Sequence, residues 1–382
     1  MAFKTRKKEE FLYSSPQEMY QDNKVKKIMG PLDYQAAMLD LYMQNINKKS
    51  VALELPTGSG KTLVGLLIGE YRRRKNKEKV LFLCPTNQLV HQVVEQSNLK
   101  YGLKAIAFCG KQKDYSPKDK SNFLMAEAIG VTTYSSFFAV HSFFEDVDVI
   151  IMDDVHSCED YIISNWTIQI ERESTAFIEM AKLLRPFISE TDYKYLLEDE
   201  YIPEVASWCN MLPMPLILSK LDEIQTVLQQ GIEIGTSNYY AYSRISENLK
   251  ECNIYIANRK ILIRPWIAPT MFFKAFANAK QRVLMSATLG RSGELERITG
   301  IEKIFRLPIV NDWDKKGLGR KFFTFPDLSL GEEEQGNVIM ALQNLCKKSV
   351  FLVPDSLSAE TIKQFYEDNL KEVKVFEAKD IE

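Results

Sequence analysis

Apolar and polar positions follow two different rhythms along the chain. In the first part, short apolar runs recur and each ends in a small or polar residue: Val80-Leu-Phe-Leu83 runs into Cys84-Pro-Thr86, Val131 into Thr132-Thr133, and Val147-Asp-Val-Ile-Ile-Met152 into Asp153-Asp154. Runs that are apolar on both faces are expected as strands of a sheet covered by helices on each side. Val64 to Ile68 continues as a helix after a glycine-rich turn. From Glu159 to Cys252 this βα rhythm gives way to helical spacing. Phe177, Met180, Ala181 and Leu184 share one face, Leu221, Ile224, Val227 and Leu228 another, and Pro186, Pro203, Pro213 and Pro215 divide the stretch into segments.

The first rhythm then returns. Arg259 to Trp266 reads as a strand, Pro269 to Ala279 as a helix and Val283 to Leu289 as a strand, all belonging to the first domain. A loop-rich connection with Pro308, Asp312-Trp-Asp314 and Gly317-Leu-Gly319 leads to a helix over Glu332 to Cys346 and strands at Ser349 to Pro354 and Val373 to Phe376. Two strands cannot bury the faces of an open sheet, so this last part is expected to be the start of a second domain whose remainder lies outside the chain. The expected division is 1–158 and 255–307 for the first domain, 159–254 for a helical insertion, 308–331 for a linker and 332–382 for the start of the second domain.

The chemistry is concentrated at the ends of the apolar runs. In Leu53-Glu-Leu-Pro-Thr-Gly-Ser-Gly-Lys-Thr62, Gly58 and Gly60 let the backbone curl so that its N–H groups face phosphate oxygens. Lys61 reaches the β and γ phosphates and the Thr62 hydroxyl is placed for Mg²⁺. Pro56, Thr57 and Ser59 complete the cradle, and the helix that follows adds partial positive charge at its N-terminus. The strict pattern has glycine where this chain has Leu55. A carboxylate at the end of a neighbouring strand holds Mg²⁺ in enzymes of this type, which singles out Asp153, with Asp154 as the base or orienting group for the attacking water. The substrate is expected to be a nucleoside triphosphate.

Several motifs in order resemble those of superfamily 2 helicases and translocases of the DExH type. Gly30-Pro-Leu-Asp-Tyr-Gln35 resembles the upstream glutamine motif, Leu53 to Thr62 motif I, Cys84-Pro-Thr-Asn-Gln-Leu89 with Gln92 motif Ia, Val131-Thr-Thr-Tyr134 a later nucleic-acid-contact motif, Asp153-Asp-Val-His156 motif II and Ser286-Ala-Thr288 motif III. The resemblance implies an α/β fold with a RecA-like P-loop NTPase domain, mostly parallel sheet between helices, interrupted by the helical insertion and followed by the start of a second RecA-like domain. It implies ATP and Mg²⁺ as ligands, with Gln35 reading adenine. Pro85, Thr86, Gln92, Thr132 and Thr133 would contact nucleic acid, single-stranded DNA above all. His156 would couple motif II to the hydroxyls of Ser286 and Thr288.

Two departures modify that picture. Asp154 stands where the family carries Glu and is one methylene shorter, so turnover is expected to be slow or to need nucleic acid and the rest of the second domain. The family's arginine that reaches the γ-phosphate, worth roughly 10³ to 10⁵ in rate in other nucleotide hydrolases, is not within these motifs. The gap between motifs II and III resembles the Rad3/XPD-like (DinG-like) helicases, many of which bind an iron–sulfur cluster through four cysteines between motifs I and II. Only Cys84 and Cys109 lie in that interval, so no cluster is expected.

Composition changes the picture little. The 382 residues carry a net charge of −2, so phosphate binding must use local patches; candidates are Lys4-Thr-Arg-Lys-Lys8, Lys24 to Lys27 and Tyr71-Arg-Arg-Arg-Lys75. The insertion is acidic, 16 Asp and Glu against 7 Lys and Arg over residues 159–252, a balance of −9. So acidic a module is a poor fit for a phosphate backbone; a strand-separating wedge reached only at its tip, a docking surface for a protein partner and a stabilising appendage are the readings open to it. The six cysteines have no zinc spacing. Apolar runs fall short of the ~18 residues that span a bilayer and the N-terminus has no signal-peptide core, so a cytoplasmic protein without a membrane partner is expected. The expected function is an ATP-dependent helicase motor. A double-stranded DNA translocase of a restriction or antiphage complex, and an ATP-gated nucleic-acid-binding scaffold, are the alternatives.

Overall fold

Each short apolar run before residue 158 becomes a strand that is buried on both faces. The computed structural model describes residues 11–310, apart from 201 and 292, and beyond them 325, 329–345, 350–353, 356–367 and 374–375. The strands are β1 (Ser50–Glu54), β2 (Val80–Cys84), β3 (Ala105–Ala107), β4 (Ile129–Thr133), β5 (Val149–Met152), β6 (Ile168–Glu171), β7 (Cys209–Pro213), β8 (Cys252–Ala257), β9 (Lys260–Pro265), β10 (Gln281–Ser286) and β11 (Phe305–Arg306). Seven of them form one sheet in the order β11-β1-β10-β5-β2-β4-β3, and every pairing in it is parallel. All seven carboxyl ends therefore lie along one edge.

Helices cover both faces. On one, the helix Lys61–Asn76 packs with Pro16–Gln21 and Asp33–Gln44 over Val51, Leu53, Phe82, Ile151 and Met285. Gly65 allows close seating, since a Cβ there would lie 2.6 Å from Met285 Cε and 2.9 Å from Phe82 Cε2. On the other face, Phe108, Phe123, Tyr134, Phe137, Phe138, Phe144, Ile150 and Met152 form a core that runs without a break into the insertion.

The insertion carries the expected helices, Thr175–Leu184 and Leu221–Gly231, with Phe177, Met180, Ala181, Leu184, Ile224 and Leu228 buried. Its wholly helical reading needs correction, because it also holds a four-stranded antiparallel sheet in the order β6-β9-β8-β7. The strand over Arg259 to Trp266 was expected in the first domain. It is β9, paired with β6 and β8 in this second sheet. The reason is legible afterwards: Cys252, Ile254 and Ile256 are buried and Asn253, Tyr255 and Ala257 are only partly so, the period-2 alternation of a half-exposed strand. A turn at Asn258-Arg259, with Arg259 at φ 60°, folds β9 back on β8. Arg244 fastens the insertion to the first domain, donating to the carbonyls of Phe138 (3.0 Å) and Asn165 (3.4 Å) and lying 5.1 Å from the Trp166 ring centroid.

Residues 1–314 form one compact unit and 315–382 another. The second contains the expected helix, Glu332–Leu345, and another at Ser356–Glu367. The strand expected at Ser349 to Pro354 is not formed over 350–353, nor that at Val373 to Phe376 over 374–375; the ends of both lie outside the described residues. So do Asp312-Trp-Asp314, Gly317-Leu-Gly319, Cys346 and the basic run Lys4 to Lys8. Among the described residues no helix is long and apolar enough to cross a membrane.

The opposite edge of the large sheet is tied by a buried polar network. Arg72 forks onto Glu78 (2.5 and 2.9 Å) and donates to Gln281 Oε1 (2.9 Å), which also accepts from Tyr42 OH (2.6 Å). Arg73 forks onto Glu70 at 2.8 and 2.7 Å. Two members of the basic run Tyr71 to Lys75 are therefore neutralised inside the protein, which corrects its reading as a nucleic-acid patch. Removing one partner of a buried ion pair costs about 3 to 5 kcal/mol. The variant Arg72→Met is expected to lose on that order in urea unfolding.

Candidate functional site

The glycine-rich turn starts where β1 leaves the sheet. Leu55 N donates to Ser286 O at 2.9 Å, which ties the exit of β1 to the end of β10. Leu55 itself is 3% exposed within the core, so the position where the strict pattern has glycine is filled here by packing. Gly58 (φ 81°) and Gly60 (φ 77°) take the left-handed conformation that curls the chain back on itself. Lys61 then opens the helix Lys61–Asn76, with Leu63 N donating to Gly60 O at 3.0 Å. Thr57 is exposed and Thr62 partly so, while Ser59 is wholly buried and its Oγ has no hydrogen-bond partner.

Gln35 braces this turn. Its Nε2 donates to Ser59 O at 2.7 Å and its Oε1 accepts from Leu32 N at 2.9 Å, while Tyr34 OH donates to the same Ser59 oxygen at 2.7 Å. A Cβ on Gly60 would stand 2.4 Å from Gln35 Nε2. In this conformation both ends of the Gln35 amide are engaged by the protein, and its adenine-reading role remains an expectation.

The register of the sheet brings the carboxylates to the same place. Asp153 N donates to Leu83 O at 3.0 Å as β5 ends, and Asp154 turns into a left-handed conformation at φ 49°. That turn sets Asp154 Oδ1 at 3.3 Å from Lys61 Nζ. Burial pushes the Asp153 carboxyl up to about 6; the Lys61 ammonium opposes this and the Asp154 carboxylate adds to it. The arrangement suits a metal-bound triphosphate: a left-handed glycine cradle, a lysine at its mouth, an orphaned buried hydroxyl in the turn and two acidic oxygen donors opposite. Thr62 and Asp153 are the residues that would hold Mg²⁺. Among the described residues no group of three or more His, Cys, Asp or Glu is placed to hold a metal ion.

His156 joins the ends of β5 and β10. Its Nδ1 shares a hydrogen bond with Thr288 Oγ1 at 2.8 Å. Ser286, expected as the other hydroxyl partner, is buried at the end of β10 and serves through its carbonyl. Sequence reasoning missed Glu294, whose Oε1 lies 3.3 Å from His156 Nε2 and whose Oε2 accepts from Arg291 N at 3.0 Å. The Arg291 N–H first, and then His156, hold its carboxyl below the usual range. The available signal was a glutamate in the first helical turn a few residues after Thr288.

Along the same edge, Thr86 caps the helix Asn87–Glu95, accepting from Leu89 N at 3.3 Å. Thr133 caps the short helix Tyr134–Phe137, accepting from Ser136 N at 3.2 Å. Gln92 is exposed and Pro85 partly so. Thr132 is a correction: it is fully buried and its hydroxyl donates to Phe108 O at 2.7 Å, because alternate residues of a strand face opposite sides. In the run Lys24 to Lys27, Lys26 turns inward onto the carbonyls of Tyr20, Gln21 and Asn23.

A parallel sheet with this strand order, helices on both faces and a glycine-rich turn between β1 and its helix is a RecA-like P-loop NTPase fold. Residues 28–181 match the family described as the res subunit of type III restriction enzymes. Among solved structures, the chain is similar to an apo XPD structure at 21% identity, over 72% of this chain and 57% of that one, with a TM-score of 0.41. It is similar to Xpd4 of S. tokodaii at 19% identity, over 74% and 61%, with a TM-score of 0.41. The Hef helicase domain of Pyrococcus furiosus matches at 18% identity, over 72% and 37%, with a TM-score of 0.33. The chain thus spans less than two thirds of the length of these structures. No curated protein matches the sequence.

The raised Asp153 carboxyl has a definite thermodynamic sign. The folded protein binds that proton up to about pH 6, whereas an unfolded chain releases it near pH 4, so stability falls as pH rises between those values and stays lowered above them. In metal-free buffer Asp153→Asn is expected to raise stability at pH 7.5 by roughly 1 to 3 kcal/mol, with the gain vanishing near pH 4. Thermal melts across that range check it.

Proposed function

We propose that the chain is the ATP-hydrolysing part of a DNA translocase of the restriction-enzyme kind. The observation that carries this reading is the meeting of Lys61 and Asp154 at 3.3 Å, with Asp153 beside them and the left-handed glycines of the turn around Lys61. In P-loop motors such residues serve one purpose, the binding and cleavage of a nucleoside triphosphate. The match of residues 28–181 to a restriction subunit spans both the turn and the carboxylates and favours translocation on duplex DNA over strand separation.

The chemistry follows from the groups in place. Backbone N–H groups of residues 57–62 and the Lys61 ammonium take the β and γ phosphate oxygens, and Lys61 leaves Asp154 to do so. Bound Mg²⁺ would supply electrostatic stabilisation of the charge that develops on the transferred phosphoryl group. Asp154, released from Lys61, accepts the proton of a water whose oxygen attacks the γ phosphorus as the bond to the β-bridging oxygen breaks, giving ADP and phosphate. The His156–Thr288 bond carries the state of this site to the end of β10. Nucleic acid would lie over Pro85, Thr86, Gln92 and Thr133. Movement follows if the closed, nucleotide-bound form and the open form hold the backbone differently.

The test is ATP hydrolysis by the full-length protein with duplex DNA, single-stranded DNA or RNA, joined to two strand assays. Duplex is expected to stimulate, with displacement of the third strand of a triplex and no unwinding of a fork; unwinding would restore the helicase reading. Lys61→Ala is expected to abolish hydrolysis, and Asp154→Asn to lower kcat by about 10² to 10⁴. Biological activity surviving in Lys61→Ala would instead favour an ATP-gated scaffold. Thr288→Val is expected to keep basal hydrolysis and lose most of its stimulation by DNA.

A further inference from the structure

The carboxyl edge of the large sheet is divided. β1, β10 and β5 end in the glycine-rich turn, in Thr288 and in the two carboxylates, whereas β2, β4 and β3 lie together on the other side. Pro85-Thr86 follows β2, Thr133 ends β4, and β3 leads into Gly110-Lys-Gln-Lys-Asp-Tyr-Ser-Pro-Lys-Asp-Lys120. Four lysines and two aspartates occupy that last segment. Lys111, Lys113 and Lys118 are exposed, and among the described residues none of the three has an acidic partner within ion-pair distance.

The segment is held in place. Phe108 N donates to Val131 O at 2.8 Å and Phe108 O accepts from Thr132 Oγ1, so the chain leaves β3 level with the end of β4. Tyr115 then packs edge-on against Phe108 (5.1 Å) and Phe143 (6.1 Å), and Lys120 lies 5.8 Å from the Tyr115 ring centroid. Between these anchors the turn Gln112–Asp114 closes with Asp114 N to Lys111 O at 2.9 Å. The lysines thus stand on a fixed platform, which lowers the entropy lost when they bind a polyanion.

Charge elsewhere points the same way. Residues 159–252 carry −9 and the whole chain −2, so the rest carries +7. Within that remainder Arg72 and Arg73 are paired with Glu78 and Glu70 and Lys26 is turned onto backbone carbonyls, whereas Lys111, Lys113 and Lys118 are exposed. Neighbouring strands are about 4.8 Å apart, so the ends of β2, β4 and β3 lie within roughly 10 Å, about three phosphates along one strand.

We infer that the segment 110–120 is a phosphate-binding extension of the nucleic-acid track, with Lys111, Lys113 and Lys118 contacting the DNA backbone next to Thr133. This rests on the translocase reading and adds to it a place where the polynucleotide leaves the sheet edge. Such contacts are sequence-independent and show as counterion release.

The test is binding of the full chain to a fluorescently labelled duplex and to a labelled single strand, followed by anisotropy between about 50 and 200 mM salt. The triple variant Lys111→Gln, Lys113→Gln, Lys118→Gln is expected to reduce the slope of log K against log salt by about 2 to 3 for duplex, and to weaken binding at the lowest salt by roughly 10-fold or more. Its ATP affinity and DNA-free hydrolysis are expected to match wild type. A matched variant, Lys194→Gln, Lys220→Gln, Lys250→Gln in the insertion, makes the same change in net charge and is expected to keep the wild-type slope. An unchanged slope in the first variant, or an equal loss in the second, overturns the inference even if DNA still stimulates hydrolysis. A wild-type chain that binds no DNA overturns both it and the translocase reading.

Discussion

Everything at this site depends on seven strands running the same way. A parallel sheet covered on both faces by apolar side chains has no other register that keeps Val51, Leu53, Phe82, Ile151 and Met285 under one layer and Ile150 and Met152 under the other. That burial sends every carboxyl end to one edge, where the helix N-termini and strand-end turns also gather. Gly65 completes the constraint, because only a helix without a side chain there can sit so close to Phe82 and Met285. The seating aims Lys61 across β10 at the end of β5.

The site is held in a state of unspent electrostatic tension. Asp153 is an acid that burial pushes towards protonation, and Asp154 adopts a left-handed backbone unusual for a residue with a side chain. The rigid sheet around them bears both costs, and the first, a desolvated carboxylate, is of the kind a bound cation would relieve. The Lys61–Asp154 pair at 3.3 Å is the arrangement from which the proposed chemistry starts.

The insertion behaves differently from an appendage. Its buried residues continue the core beneath β5 and β4, and Arg244 ties it to Phe138 beside Thr133. Its net charge of −9 contrasts with the exposed Lys111, Lys113 and Lys118 after β3 on the same unit.

The sequence by itself determined the parallel sheet and the glycine turn that opens into the helix at Lys61, because apolar runs buried on both faces and a glycine turn ending in Gly58-Ser-Gly-Lys-Thr62 are local signals. It also determined the two apolar helix faces of the insertion. Only the tertiary structure decided that β9 belongs to an antiparallel sheet, since pairing partners are distant in the chain and strand signals do not name them. It decided as well that Thr132 points inward, that Arg72 and Arg73 are consumed by Glu78 and Glu70, and that His156 answers to Glu294 as well as Thr288. Those outcomes turn on which side of a strand or helix meets the core, and on which charges it brings within reach. Residue type and spacing specify the chemistry available; burial and register choose which of it faces a ligand.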